Sequence, residues 1–189
     1  MTPTPTTRDA VRTKHQIIRG AGRALVAMGP GASLDAMAAE AGVSKGGILH
    51  HFGTKDALIE ALAADAVTSF QERVERHVDL SENRPGKTLR AYVRAIEEEI
   101  LQEDSLVTHP EVWGVLGMMP EVSRMLQADS DHWREAFAAD GLEDERIQIV
   151  WRAADGLMAA ATYDSRADAA EVQRLCAALI RLSALDEAP

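Results

Sequence analysis

Between Ser33 and Phe52 the chain reads SLDAMAAEAGVSKGGILHHF, two short helix-length segments parted by Gly42-Val43-Ser44. In the first segment Leu34, Met37, Ala38 and Ala41 recur at three- and four-residue steps, so they share one apolar helix face. Ser33 can cap its start, and Gly42 can end it because glycine enters a left-handed turn without strain. Val43 plugs the turn and Ser44 caps the second segment, where Ile48 and Phe52 fall one turn apart on the inner side. The small side chain of Ala38 lets the two segments approach closely. This is the pattern of a helix-turn-helix, in which the second helix presents its amino end to the major groove of a duplex.

A helix entering a groove needs small or polar outer positions, and Lys45, Gly46, Gly47, His50 and His51 meet that demand. Two consecutive glycines cost a helix roughly 1 kcal/mol each against alanine. Close approach to a phosphate or base edge is one reason to accept this; close packing on the helix expected over residues 8–28 is the other. His50 and His51 suit neutral donation to phosphate or form an exposed pair without function. As a metal pair they are poor, because neighbours on a helix point about 100° apart.

Charge is distributed to match. Residues 1–55 hold seven Lys/Arg and three acids, net +4, whereas the remainder is net −14, within a chain of net −10. A basic head on an acidic body implies that only the head meets a polyanion. Strand signals are nearly absent, and three- to four-residue apolar periodicity continues along the chain. The expected fold is all-α, with about nine helices. Their spans run near 8–28, 34–41, 45–52, 55–79, 87–104, 110–119, 120–139, 144–163 and 168–185. Val11, Ile18, Ala21, Leu25 and Met28 form the apolar face of the first. Residues 1–7, rich in Thr and Pro, are expected to be a disordered arm. No apolar run approaches the ~18 residues of a membrane span. The start does not read as a secretory signal, and a lone Cys176 excludes an internal disulfide, so the expected location is cytoplasmic.

The run AAEAGVSKGGILHHFGTKDALIEAL resembles the DNA-binding signature of the TetR family of bacterial transcriptional regulators, through Gly42, Val43, Ser44, Gly46, Phe52, Lys55 and Leu58. The resemblance covers residues 8–62 and implies an N-terminal arm and reading domain over 1–54, then a ligand-binding and dimerisation domain over 55–189. It places Lys45, Gly47, His50 and His51 on recognition-helix contact positions and gives Ser33 and Lys55 phosphate contacts. Ser44, Gly46 and Thr54 complete the candidate DNA-binding set. One departure stands out: Leu49 occupies the position of a tyrosine that packs and touches the DNA backbone in relatives.

In the family the carboxy-terminal helices bind a small molecule and form a homodimer. Candidate ligand-lining residues are Trp113, Met118, Met125, Trp133, Trp151, Asp155 and Met158, an apolar and adaptable set that fills ordinary core equally well. Asp155 suits either a buried anion or a salt-bridged acid, and of Glu97, Glu98 and Glu99 only one can point inwards. Candidate seam residues are Val150, Leu157, Ala161, Val172, Leu175, Leu179 and Leu182, whose alternative is internal core. Enzyme readings fail for want of a convergent catalytic set. Gly20-Ala-Gly22 is mid-helix and follows no strand, and Asp129-Ser-Asp131-His132 diverges on a helix, so no cofactor or metal is expected. The expected function is a homodimeric repressor that binds an inverted-repeat operator in double-stranded DNA and is released by a small effector. The alternative is a helical ligand-binding or protein-interaction module whose basic head contacts a partner protein.

Overall fold

The computed structural model describes residues 7–102, 105–163 and 168–184. Among them nine α-helices and no strand occur. The helices are α1 (Thr7–Met28), α2 (Leu34–Ala41), α3 (Lys45–Phe52), α4 (Lys55–His77), α5 (Lys87–Leu101), α6 (Pro110–Leu116), α7 (Pro120–Ala138), α8 (Asp144–Tyr163) and α9 (Ala169–Leu182). Short 3-10 turns cover Gly29–Gly31 and Leu106–Thr108. Most ends lie within a few residues of expectation. The arm expected over residues 1–7 falls almost wholly outside the described residues, as does the break at Asp164-Ser165.

The chain divides into two compact units, Met1–Ala66 with His109–Met125, and Val67–Thr108 with Leu126–Pro189. In the first, α1 packs on α2, α2 on α3, and α6 on α1. Its core holds Ile17, Ile18, Ala21 and Leu25 of α1, Met37 and Ala41 of α2, and Ile48 of α3, each at most 7% exposed. Val11 and Met28, expected on the same apolar face, are exposed instead. The physical reason is length: α1 has 22 residues and α2 only 8, so the apolar periodicity outruns the packed stretch.

In the second unit α5 packs against both α8 and α9, which also touch each other. Val93, Ala95, Phe137, Val150, Trp151 and Cys176 are among the residues filling that core. Burying an aliphatic or aromatic side chain of this size contributes ~1.5–3 kcal/mol, so this core dominates the stability of the unit. Burial also pushes the Cys176 thiol up to about 11.

Candidate nucleic-acid interface

Each short helix of the head starts with a hydroxyl that satisfies a free amide. The Ser33 Oγ accepts from the Ala36 N–H at 3.2 Å, and the Ser44 Oγ from the Gly47 N–H at 3.0 Å. Thr54 does the same for α4, accepting from the Ala57 N–H at 3.0 Å. In each case the hydroxyl hydrogen remains a donor, and all three residues are exposed. Gly42 sits at φ 65°, ψ 31°, and its N–H bonds to the carbonyls of Ala38 and Ala39, so the left-handed turn forms as its glycine requires.

The approach of α1 to α2 depends on Gly20, which the sequence marks as mid-helix without showing what it packs against. A Cβ at Gly20 would lie 2.6 Å from the backbone and Cβ of Ala41, so only hydrogen fits there. Two side chains of α1 then bond the end of α2. Gln16 Nε2 donates to the Ala41 carbonyl at 2.7 Å and Arg23 donates to the Glu40 carbonyl at 2.5 Å. Together they satisfy carbonyls that a helix end leaves open.

With α2 fixed, α3 turns Ile48 fully inwards and leaves Lys45, Gly46, Leu49 and His50 exposed; Gly47, His51 and Lys55 are half-buried. The glycine pair has no packing explanation. A Cβ at Gly46 would meet only Ser44 Oγ at 3.8 Å, and one at Gly47 only Ser44 Oγ at 3.5 Å and Val43 Cβ at 3.8 Å. Of the two readings of Gly46-Gly47, packing on α1 is therefore excluded. Lys45 Nζ pairs with Asp35 at 2.8 Å, both side chains at least half exposed, and the His50 and His51 rings meet edge to face at 5.3 Å. An exposed pair of that kind contributes ~0–1 kcal/mol and yields readily to a stronger partner.

Two family descriptors match the chain: "Bacterial regulatory proteins, tetR family" over residues 17–62, and "Tetracyclin repressor-like, C-terminal domain" over residues 86–184. The chain belongs to the TetR family. It is a DNA-binding transcriptional regulator of that family. Solved structures share the TetR fold across nearly the whole chain. A transcriptional regulator from Rhodococcus sp. Rha1 is 20% identical with a TM-score of 0.74, covering 93% of this chain and 99% of its own. The multidrug binding protein EbrR, solved with imidazole, is 22% identical with a TM-score of 0.67 over the full length of both. NalD of Pseudomonas aeruginosa, the secondary repressor of the MexAB-OprM multidrug efflux pump, is 17% identical with a TM-score of 0.59, covering 92% and 96%. No curated protein sequence matches the chain significantly.

The TetR-type body distributes the expected ligand residues between the two units. Trp113, Met118 and Met125 belong to the first, where Met118 is 81% exposed. Trp133, Trp151, Asp155 and Met158 belong to the second. There Tyr92, which sequence reasoning missed, is the hub: its hydroxyl donates to Asp155 Oδ1 at 2.7 Å, and its ring meets Trp133 and Phe137 edge to face at 5.1 and 5.4 Å. Asp155 also pairs with Arg152 at 3.3 Å, while burial raises its carboxyl above the usual range against those two partners. Trp133 Nε1 and Gln71 Nε2 both donate to Asp129. No group of three or more metal-ligating side chains occurs among the described residues, and no described helix is long and apolar enough to cross a membrane.

The expected seam also divides. Val150, Val172 and Leu179 lie within the chain's own core, at most 8% exposed, whereas Leu175 and Leu182 are each 42% exposed. Leu157 and Ala161 are half-buried. Of the three consecutive glutamates only Glu99 turns inwards, where it pairs with Arg73 at 2.9 Å and accepts from Ser105.

Proposed function

We propose that this chain is a homodimeric transcriptional repressor that reads an inverted-repeat operator with α3 and releases it when a small molecule binds the body. The observation that carries the reading is the outer face of α3, where two glycines without a packing role lie beside Lys45 and His50 at a serine-capped helix start. In this reading Lys45, Gly46, Gly47, His50 and His51 meet the groove, and Ser33, Ser44, Thr54 and Lys55 meet phosphates through hydroxyl hydrogens, amides and an ammonium group. The reading head spans residues 1–54, and residues 55–189 bind ligand and dimerise in the cytoplasm.

Repression and ligand release draw support from the fold shared with NalD, a repressor, and with EbrR, a multidrug binding protein. The aromatic group around Tyr92, with Trp133, Trp151, Asp155 and Met158, supplies apolar area and one carboxylate for an effector. Leu157, Ala161, Leu175 and Leu182 supply the seam, the last two being apolar side chains left open to solvent on α9. Release follows from linkage: a ligand that prefers a state with mis-spaced reading heads weakens simultaneous contact with two half-sites.

The test is selection of duplexes from a randomised pool by the full chain, followed by sedimentation of the complex. Recovered sequences with two-fold symmetry and two chains per duplex are expected. Asymmetric sites bound by single chains would contradict the dimer, and no enrichment would contradict sequence reading altogether.

A further inference from the structure

The side chains of α3 leave an unusual choice of how to read bases. The helix, KGGILHHF, contains no Arg, Asn or Gln, so Lys45 is the one side chain on it that can make a bidentate contact of the usual kind, and that to guanine. Its one long cation, Lys45, rests against Asp35 at 2.8 Å in an exposed pair. In the middle of the outer face stands Leu49, 41% exposed, one turn after Lys45 and three residues after Gly46. A scattered surface leucine is ordinary. This one is flanked along its face by a glycine that nothing in the protein requires, because a Cβ at Gly46 would meet only Ser44 Oγ at 3.8 Å. The glycine clears the surface that would otherwise hold the backbone away from a groove floor, and the leucine is what then reaches it.

We propose that Leu49 is a specificity-determining residue that reads thymine through its C5-methyl group. The proposal rests on α3 being the groove-reading helix. The methyl is the only apolar group that any base presents in the major groove, so an aliphatic side chain there has one favourable partner among the four bases. A cytosine at the same place offers a hydrogen without a methyl and leaves the side chain poorly packed. Lys45, one turn before Leu49 on the same face, and His50, the next residue round the helix, then contribute hydrogen bonds beside an apolar centre.

The experiment uses duplexes selected from a randomised pool by the full chain. Each thymine of a half-site is replaced singly by deoxyuridine, which removes the methyl and nothing else. For wild type, one position per half-site is expected to lose about fourfold in affinity, the scale of one buried methylene. Leu49→Ala binds more weakly but is expected to be indifferent to the same replacement, and Leu49→Met to retain the wild-type response. Because the side chain is exposed, both variants should keep the wild-type circular dichroism spectrum. The proposal is overturned if no thymine position distinguishes wild type from Leu49→Ala, or if both lose the same factor everywhere. Selected duplexes that bind with normal salt dependence but without this coupling would overturn the role of Leu49 alone. Failure to select any duplex would overturn the reading of α3 itself.

Discussion

In the head, α1 to α3, the polar side chains facing outwards hold single partners near the surface. Lys45 has Asp35, His50 has the edge of His51, and the hydroxyls of Ser33, Ser44 and Thr54 each accept one amide. In the second unit, two arginines are enclosed and shared. Arg90, 1% exposed, pairs with Glu82 and donates to the backbone carbonyls of Ser183 and Arg84, so it joins the α4–α5 loop to the end of α9. Arg73, 8% exposed, bridges Glu98, Glu99 and Gln102. The difference teaches where each region spends its polar groups: the second unit closes its own structure with them, and the head keeps them for something outside.

That contrast breaks most visibly at Arg90. Removing it leaves Glu82 with Arg84 as its remaining cation and the Ser183 carbonyl without its donor, which destabilises by about 3 kcal/mol. Urea unfolding of Arg90→Met should show that loss, against less than about 1 kcal/mol for Lys45→Ala. Equal losses would erase the distinction between the two regions.

Gly20→Ala tests whether the head is held by backbone fit rather than by ionic networks. Its new Cβ meets Ala41 at 2.6 Å, so α1 and α2 must separate, at a cost of about 1–3 kcal/mol. Amide exchange should quicken in α1 and α2 while α8 keeps its protection. Unchanged exchange in α2 would show that the two helices tolerate a wider spacing.

A smaller effect separates the regions by pH. Burial of Glu98 works to raise its carboxyl, but the hydrogen bond from His77 and the charges of Arg73, His77 and Arg76 outweigh it and hold it below the ordinary 4.5. A depressed carboxylate adds stability that is present above its unfolded value and lost as pH falls through the folded one. Acid titration of stability should therefore be shallower below pH ~4.5 in Glu98→Gln than in wild type. Identical acid limbs would mean that the α4–α5 ion pairs contribute nothing measurable.

Much of the head was legible because its signals are local. Ser33, Ser44, Gly42 and the apolar steps of α2 each act within four residues of themselves, so spacing alone identifies them. What escaped was long-range. Gly20 is small because Ala41 is there, and Arg23 is needed because α2 ends beside it; neither fact has a signal within its own turn of helix. In the second unit, periodicity marked the apolar faces of α8 and α9 but not which neighbour covers them. Val150, Val172 and Leu179 therefore went to the expected seam, although the chain's own core encloses them. Tyr92 stayed hidden for the same reason, since its partner Asp155 lies 63 residues away.

The most direct test of the central claim is the salt dependence of duplex binding by wild type and Lys55→Ala. If the polar groups of the head are held for a polyanion, log affinity falls steeply and linearly with log salt, because each phosphate neutralised releases counterions. Lys55→Ala should weaken binding to every duplex and reduce the slope by about one for each reading head engaged. A flat salt dependence in wild type, or the same slope and affinity in Lys55→Ala, would contradict the account.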